Sequence, residues 1–385
     1  MPHVLYFGQA PDFGTGSPVS LLRHFTRFSQ DGWKITVTPN WGDCLDECER
    51  NGWQTITLPH RLWWWPPYHS AMDLSRRVTA NLWAREVDRM VQPRPDAVLT
   101  YLAWHTDLLA EIGASYGRLT GVPVSCIIHD DALDFIKDPT QRRGVAHRRR
   151  RILRRSHRNW FVSSEQAEAI APKGADYGVL TPIPEGWDGK KGMWRAEFAK
   201  ERRIYFAGYV WPAQARLLAK LAPAIAAGGG RLTVLSRRSP EIDALVATGL
   251  VDHVASFPEN HEALLHLVHN AAGLLASYAE SIEELPWTRT SMPSKLVEYS
   301  HLGLPIMIVA PLETAIRRWS ARVHLRASFC PGDLQAVTRW VRALGNEATW
   351  KDELITWQTM AAGEWSPAKI HRQLAADLTR DAAKS

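Results

Sequence analysis

The run Ser291-Met292-Pro293-Ser294-Lys295-Leu296-Val297-Glu298-Tyr299-Ser300-His301-Leu302-Gly303-Leu304-Pro305-Ile306-Met307-Ile308-Val309 holds a helix, its stop signal and a strand in nineteen residues. Pro293 suits a first helical position, where its missing N–H costs nothing. Leu296, Tyr299 and Leu302 then recur at helical spacing as a buried face, and Gly303 ends the helix before the apolar strand Pro305 to Val309. Lys295 and Glu298, three residues apart in the first turns, project to one side. A diphosphate placed there would meet the helix dipole and the ammonium, while the carboxylate could accept hydrogen bonds from a ribose diol. The alternative is an ordinary surface ion pair.

Outward from this run, short apolar stretches alternate with helical patterns, the signal for βαβ units and a parallel α/β sheet. Strands are expected at Val4 to Phe7, Ile35 to Thr38, Ala97 to Tyr101, Val124 to Ile128 and Trp160 to Ser163. A second series is expected at Ile204 to Phe206, Leu232 to Leu235, His253 to Ala255, Gly273 to Ser277 and Pro305 to Val309. The turn-rich stretch Gly178 to Gly192 separates them, so a domain boundary is expected near residue 185. A chain of 385 residues, 45% hydrophobic and 22% charged, can build two such cores, which excludes a stapled module and wholesale disorder. Four cysteines, Cys44, Cys48, Cys126 and Cys330, support neither a disulfide framework nor a zinc module. No signal peptide or spanning helix is read, and a cytoplasmic protein is expected.

Three further places could carry chemistry. Gly14-Thr15-Gly16-Ser17-Pro18 before a helix could cradle an anion or be a simple glycine turn with a Ser17 cap. It is no dinucleotide fingerprint, because Val19 stands where the third glycine belongs. His129-Asp130-Asp131 follows Val124 to Ile128, at the carboxyl end of a parallel strand, where ligands of open α/β sheets bind. These residues could hold sugar hydroxyls or move a proton, the adjacent carboxylates being expected to raise the imidazole pKa; an Asp pair capping the next helix is the plainer reading. Trp104 and His105 follow the preceding strand and would lie on the same edge. No D-x-D pair is present for a nucleotide-bound cation, so no metal and no cofactor are expected.

Charge is unevenly placed. The net charge is +6, yet Pro139 to Ser164 holds nine arginines and no acid, from Arg142 to Arg158, leaving −3 on the rest. That segment reads as a solvated, self-repelling helix or as a contact for an anionic membrane, with Trp63, Trp64 and Trp65 as interfacial anchors. Nucleic acid is the least favoured partner, since no recognised binding pattern accompanies the charge.

The motif P-S-K-L-x-E-Y-x-x-x-G-x-P-I, preceded by Ala276-Ser277-Tyr278, resembles the donor-site helix of GT-B glycosyltransferases, especially those similar to family four. Gly16 to Leu22, Ile128-His129-Asp130, Val162 to Glu165, Tyr205-Phe206-Ala207-Gly208 and Glu364-Trp365-Ser366 follow the family's order along nearly the whole chain. The resemblance implies two Rossmann-like domains facing a cleft: 1–185 for the acceptor, 186–362 for the donor, and 363–385 crossing back to the first. It implies a donor site of Gly16, Gly208, Arg237, Ser294, Lys295 and Glu298, and catalysis at His129, Asp130 and Asp131. Trp63 to Trp65, Trp104 and His105 would meet the acceptor or a membrane. The activity implied is metal-independent transfer from a UDP or GDP sugar to a glycan or lipid-linked acceptor, in polysaccharide or glycoconjugate synthesis, by an enzyme that is cytoplasmic and peripheral at the inner membrane face. Thr290 stands where the family has an acid, so stereochemistry is not inherited and retention is only slightly favoured over inversion; Tyr209 and Gln214 stand where the family often has cations, which shifts phosphate neutralisation to Lys295. A 2-epimerase on the same fold and a binding protein with a degenerate site are the alternatives.

Overall fold

The computed structural model describes residues 1–12, 17–40, 42–58, 70–103, 107–129, 132–187 and 189–382. The chain divides into two compact units, one of Met1–Pro184 with Pro367–Ser385, the other of Glu185–Ser366.

The first unit runs β1 (His3–Phe7), α1 (Ser17–Gln30), β2 (Lys34–Thr38), α2 (Asp46–Arg50), β3 (Gln54–Thr55), α3 (Ser70–Met90), β4 (Ala97–Tyr101), α4 (Asp107–Thr120), β5 (Val124–Ile128), α5 (Pro139–Arg155), β6 (Arg158–Phe161), α6 (Ser164–Ile170) and β7 (Tyr177–Val179). Its seven strands lie in the order β3-β2-β1-β4-β5-β6-β7, every pair parallel. Strands β1, β4 and β5 are buried along their whole length, as a sheet covered on both faces requires. Alternate residues serve opposite layers. Val4, Tyr6, Leu99 and Tyr101 meet Phe25 and Phe28 of α1, while Leu5, Phe7 and Val98 meet Ala84 of α3 and Ile112 of α4.

The second unit runs β8 (Arg202–Ala207), α7 (Pro212–Ala227), β9 (Gly230–Ser236), α8 (Pro240–Ala247), β10 (Val251–Ala255), α9 (Asn260–Asn270), β11 (Gly273–Ser277), α10 (Ser294–Ser300), β12 (Ile306–Val309), α11 (Ala315–Arg322), β13 (Ser328–Phe329), α12 (Leu334–Ala343), α13 (Glu347–Asp352) and α14 (Ile355–Ala362). Its parallel sheet has the order β10-β9-β8-β11-β12-β13. The chain steps outward from β8 to β10, then restarts on the other side at β11. The carboxyl edge between β8 and β11 is therefore a topological switch point, where open α/β sheets bind ligands.

The last helix, α15 (Pro367–Ala382), belongs to the first unit. Ile370, Leu374 and Leu378 join the layer of Phe25 and Phe28. The buried carboxylate of Asp377 accepts hydrogen bonds from Trp160 Nε1 at 3.1 Å and Ser125 Oγ at 3.3 Å, and lies 3.9 Å from Arg158.

Two expectations need correction. The strand placed at Trp160 to Ser163 is Arg158–Phe161, because Ser163 leaves the strand to cap α6, accepting from Gln166 N at 3.0 Å. The arginine-rich segment is not a uniformly solvated, self-repelling helix. Arg148 and Arg149 of α5 are buried; Arg149 lies 3.5 Å from Asp107 of α4, and Arg151 donates to the buried Glu111 at 2.7 Å. Acids absent from the segment itself arrive from a neighbouring helix. Among the described residues, no helix is long and apolar enough to cross a membrane.

Candidate functional site

The switch point of the second unit is built around Gly208, the first residue after β8. Its φ is +111°, a conformation that side-chain-bearing residues rarely adopt, and its N–H donates to Leu235 O at 2.8 Å. A Cβ at this position would collide with the end of the Lys295 side chain, so the missing side chain is the space that Lys295 occupies. Lys295 reaches back from α10 and rests its Nζ 4.6 Å from the centre of the ring of Phe206, the last buried residue of β8. Burial penalises the ammonium and pushes its pKa down to about 8.

Tyr299 fixes this approach. Its hydroxyl accepts from Ala207 N at 3.1 Å and donates to Ala207 O at 3.2 Å, pinning α10 to the end of β8. Leu296, Val297 and Tyr299 are buried, while Lys295 folds back over the end of β8 and Glu298 turns away from the core. Both oxygens of Glu298 lie 3.3 Å from Glu185 N, from which they accept. Pro293 occupies the cap position and the helix begins at Ser294, one residue later than the sequence reading; Ser294 is exposed at that start. Arg237 follows β9, the strand beside β8, and is exposed at the same sheet edge.

Other polar residues nearby are committed elsewhere. Gln214 donates to Ser277 O at 2.5 Å and accepts from Trp211 N at 3.4 Å, which ties α7 to β11. Arg216 pairs with Glu284, and this guanidinium holds the Glu284 carboxyl below its usual range. Thr290 is buried, with its hydroxyl 3.4 Å from Trp287 O. One feature escaped the sequence reading: Tyr209 and Trp211, 65% and 42% exposed, stand edge to face at 5.0 Å immediately after Gly208. Two aromatic residues straight after a strand-ending glycine were the available signal.

In the first unit His129 lies at the carboxyl end of β5. Gln166 donates to its carbonyl at 3.2 Å and accepts from Val162 N at 3.0 Å, and the Tyr101 ring stands edge-on at 5.7 Å. The expected rise in the imidazole pKa is overturned: burial pushes it down to about 4, so the ring is neutral near pH 7. His24 is likewise pushed well down by burial; its Nδ1 is 3.4 Å from that of His371, whose Nε2 is 3.2 Å from Asp31. Gly16, Trp63, Trp64, Trp65, Trp104, His105, Asp130 and Asp131 lie outside the described residues. Among the described residues, no cluster of three or more His, Cys, Asp or Glu could hold a metal ion.

The structure thus brings Gly208, Lys295, Ser294 and Glu298 to one strand end, with Arg237 on the next strand of that edge. Residues 20–186 match the family model described as glycosyl transferase 4-like domain. Among solved structures, the chain is similar to Alr3699/HepE from Anabaena in complex with UDP, at 12% identity over 99% of this chain and 100% of the other, TM-score 0.64. It is similar to a glycosyltransferase from Rickettsia africae at 8% identity over 100% of both chains, TM-score 0.66, and to TarM at 6% over 98% and 99%, TM-score 0.68. No curated protein matches the chain. The protein has the GT-B fold. Its first unit resembles the glycosyltransferases of family four.

Proposed function

We propose that this protein transfers a hexosyl group from a nucleotide diphosphate sugar to a glycan or lipid-linked acceptor, in polysaccharide or glycoconjugate synthesis. The reading rests on one observation: a glycine in a left-handed conformation gives up its side-chain space to a desolvated lysine at a sheet's switch point. A cation held in that state gains more from an anionic ligand than an exposed lysine does, because water screens it less. Lys295 and Arg237 neutralise the diphosphate, Ser294 lies at the helix start beside it, and Glu298 takes the ribose diol. Support comes also from the similar structures, Alr3699/HepE having been crystallised with UDP and with UDP and glucose.

His129, neutral at physiological pH, accepts or donates a hydrogen bond to the transferred sugar rather than acting as a fixed cation. The departing nucleotide is stabilised by fixed positive groups, without a metal ion. We favour retention, with the leaving phosphate taking the acceptor proton; in an inverting enzyme Asp130 or Asp131 would be the base. A lipid-linked acceptor would put the enzyme at the cytoplasmic face of a membrane. A thermal-shift screen of UDP and GDP sugars, then transfer assays with and without chelator, tests the reading. A rise in melting temperature with one nucleotide series and chelator-resistant transfer are expected, while strict Mg²⁺ or Mn²⁺ dependence would contradict the charge assignment. Turnover of the sugar nucleotide without acceptor would indicate an epimerase instead. The commitment of Gln214 to Ser277 and of Arg216 to Glu284 favours a second reading, a binding protein with a weakened donor site, and calorimetry showing no saturable UDP or GDP binding would select it.

A further inference from the structure

Three neighbouring strands of the second unit end beside groups that match a nucleotide along its length. Gly208, with Lys295 over it, stands at the end of β8; Arg237 follows β9; and Asn260 opens α9 after β10. Adjacent strands lie about 4.8 Å apart, so two spacings cover roughly 10 Å, comparable with the reach from a diphosphate across its ribose to the far edge of a base. With the diphosphate at β8 and the ribose on Glu298, the base falls toward the start of α9.

Glu185, the first residue of the second unit, stands there and has no part in the diphosphate or ribose contacts. Its N–H donates to both oxygens of Glu298 at 3.3 Å, and an oxygen of its own carboxylate accepts from Asn260 Nδ2 at 2.5 Å. The residue is thus fixed between the start of α9 and the carboxylate on α10. The chain that follows is anchored as well. Gly186 turns through a φ of +91°, and the buried Trp187 donates from Nε1 to Lys190 O at 2.9 Å, its ring 5.1 Å from that of His261. Lys191 Nζ donates to His301 O at 2.6 Å, at the end of α10. An exposed carboxylate is here held at both its backbone and its tip.

We propose that Glu185 reads the nucleobase of the donor and selects guanine. This rests on the donor site proposed above, with Lys295 on the diphosphate and Glu298 on the ribose. A carboxylate only accepts hydrogen bonds, and two parallel N–H donors suit it best. Guanine offers that pair side by side, N1–H and the exocyclic amine. Uracil has a single N–H flanked by two carbonyl oxygens, which a carboxylate repels. Adenine and cytosine each set a ring-nitrogen acceptor beside their amine, so one carboxylate oxygen would face a lone pair. A carboxylate has about four acceptor positions, and the Asn260 contact does not exhaust them.

Isothermal titration of the full chain with GDP, IDP, UDP and ADP tests the assignment. GDP should bind about tenfold to a hundredfold more tightly than UDP or ADP, and IDP, which keeps N1–H and lacks the amine, should fall between. Glu185→Gln should bring GDP down to about the affinity of UDP and leave UDP itself little changed. Its melting temperature should match the parent, because the side chain is exposed. UDP binding as tight as that of GDP, or a guanine preference that survives Glu185→Gln, would overturn the assignment and leave the donor site standing. Saturable binding of none of the four would overturn both.

Discussion

Replacing Lys295 by Met should make the protein more stable and worse at binding a nucleotide, and the size of both effects follows from its surroundings. Burial lowers its pKa from 10.5 to about 8, so holding the ammonium in the folded state costs roughly 3 kcal/mol at neutral pH. The Phe206 ring beneath Nζ returns about 1 kcal/mol. Methionine fills similar space without a charge, so a net gain of about 2 kcal/mol is expected, or roughly 4–8 °C in the melting temperature of a unit this size. The sign with pH is fixed. Below pH 8 the lysine is charged in both states and the full penalty applies; as pH rises from 8 towards 10.5 the folded state loses its proton first, and the penalty fades. The advantage of Lys295→Met should therefore be largest at pH 7 and close to nil by pH 10. UDP affinity should move the other way, falling roughly ten- to a hundredfold with loss of one charge-assisted contact. Differential scanning calorimetry across pH 7 to 10, with isothermal titration of UDP at pH 7, reads both. A melting temperature unchanged or lowered at pH 7, together with intact UDP affinity, would refute the placement of a desolvated cation at the site.

If Glu298 takes the ribose diol as proposed, Glu298→Gln should raise the KM for the sugar nucleotide about tenfold with little change in melting temperature, because an amide donor replaces one acceptor oxygen; steady-state kinetics checks it. Gly208→Ala should cost about 1–3 kcal/mol through its φ of +111° and weaken UDP binding by displacing Lys295, which denaturant melts and calorimetry measure together. In the first unit, His129 with a pKa near 4 stays neutral in the folded state while the unfolded chain takes up a proton below 6.5. Stability should fall by up to about 3 kcal/mol between pH 6.5 and 4, and His129→Gln should flatten that slope in urea melts.

Much of this architecture could be read from local pattern. Ala97–Tyr101, Val124–Ile128 and Gly273–Ser277 stand where continuous apolar runs between turn residues placed them, because central parallel strands must be apolar on both faces. Strands β3, β7 and β13 went unread: each has only two or three residues at or near a sheet edge, too few to show a period. The apposition of Lys295 and Glu298 on one short helix was legible from spacing alone. That Gly208 and Phe206 form the other wall was not, since it depends on a contact across nearly ninety residues. The arginine-rich segment misled for the same reason: its counter-charges, Asp107 and Glu111, lie on a different helix, and no window of sequence contains both. At His129 the neighbouring carboxylates suggested a raised pKa, but burial depends on the whole unit and acts in the other direction.

The route of the chain through its two units sets an order for biosynthesis. Residues 185–366 are one uninterrupted segment and can close around their own sheet as soon as they leave the ribosome. The earlier-made half cannot finish: Trp160, Ser125 and Arg158 wait for Asp377, and Phe28 for the helix that carries it. A nascent chain released before that helix emerges would expose an aromatic layer, making it a substrate for chaperones or proteases while the later-made unit is already native.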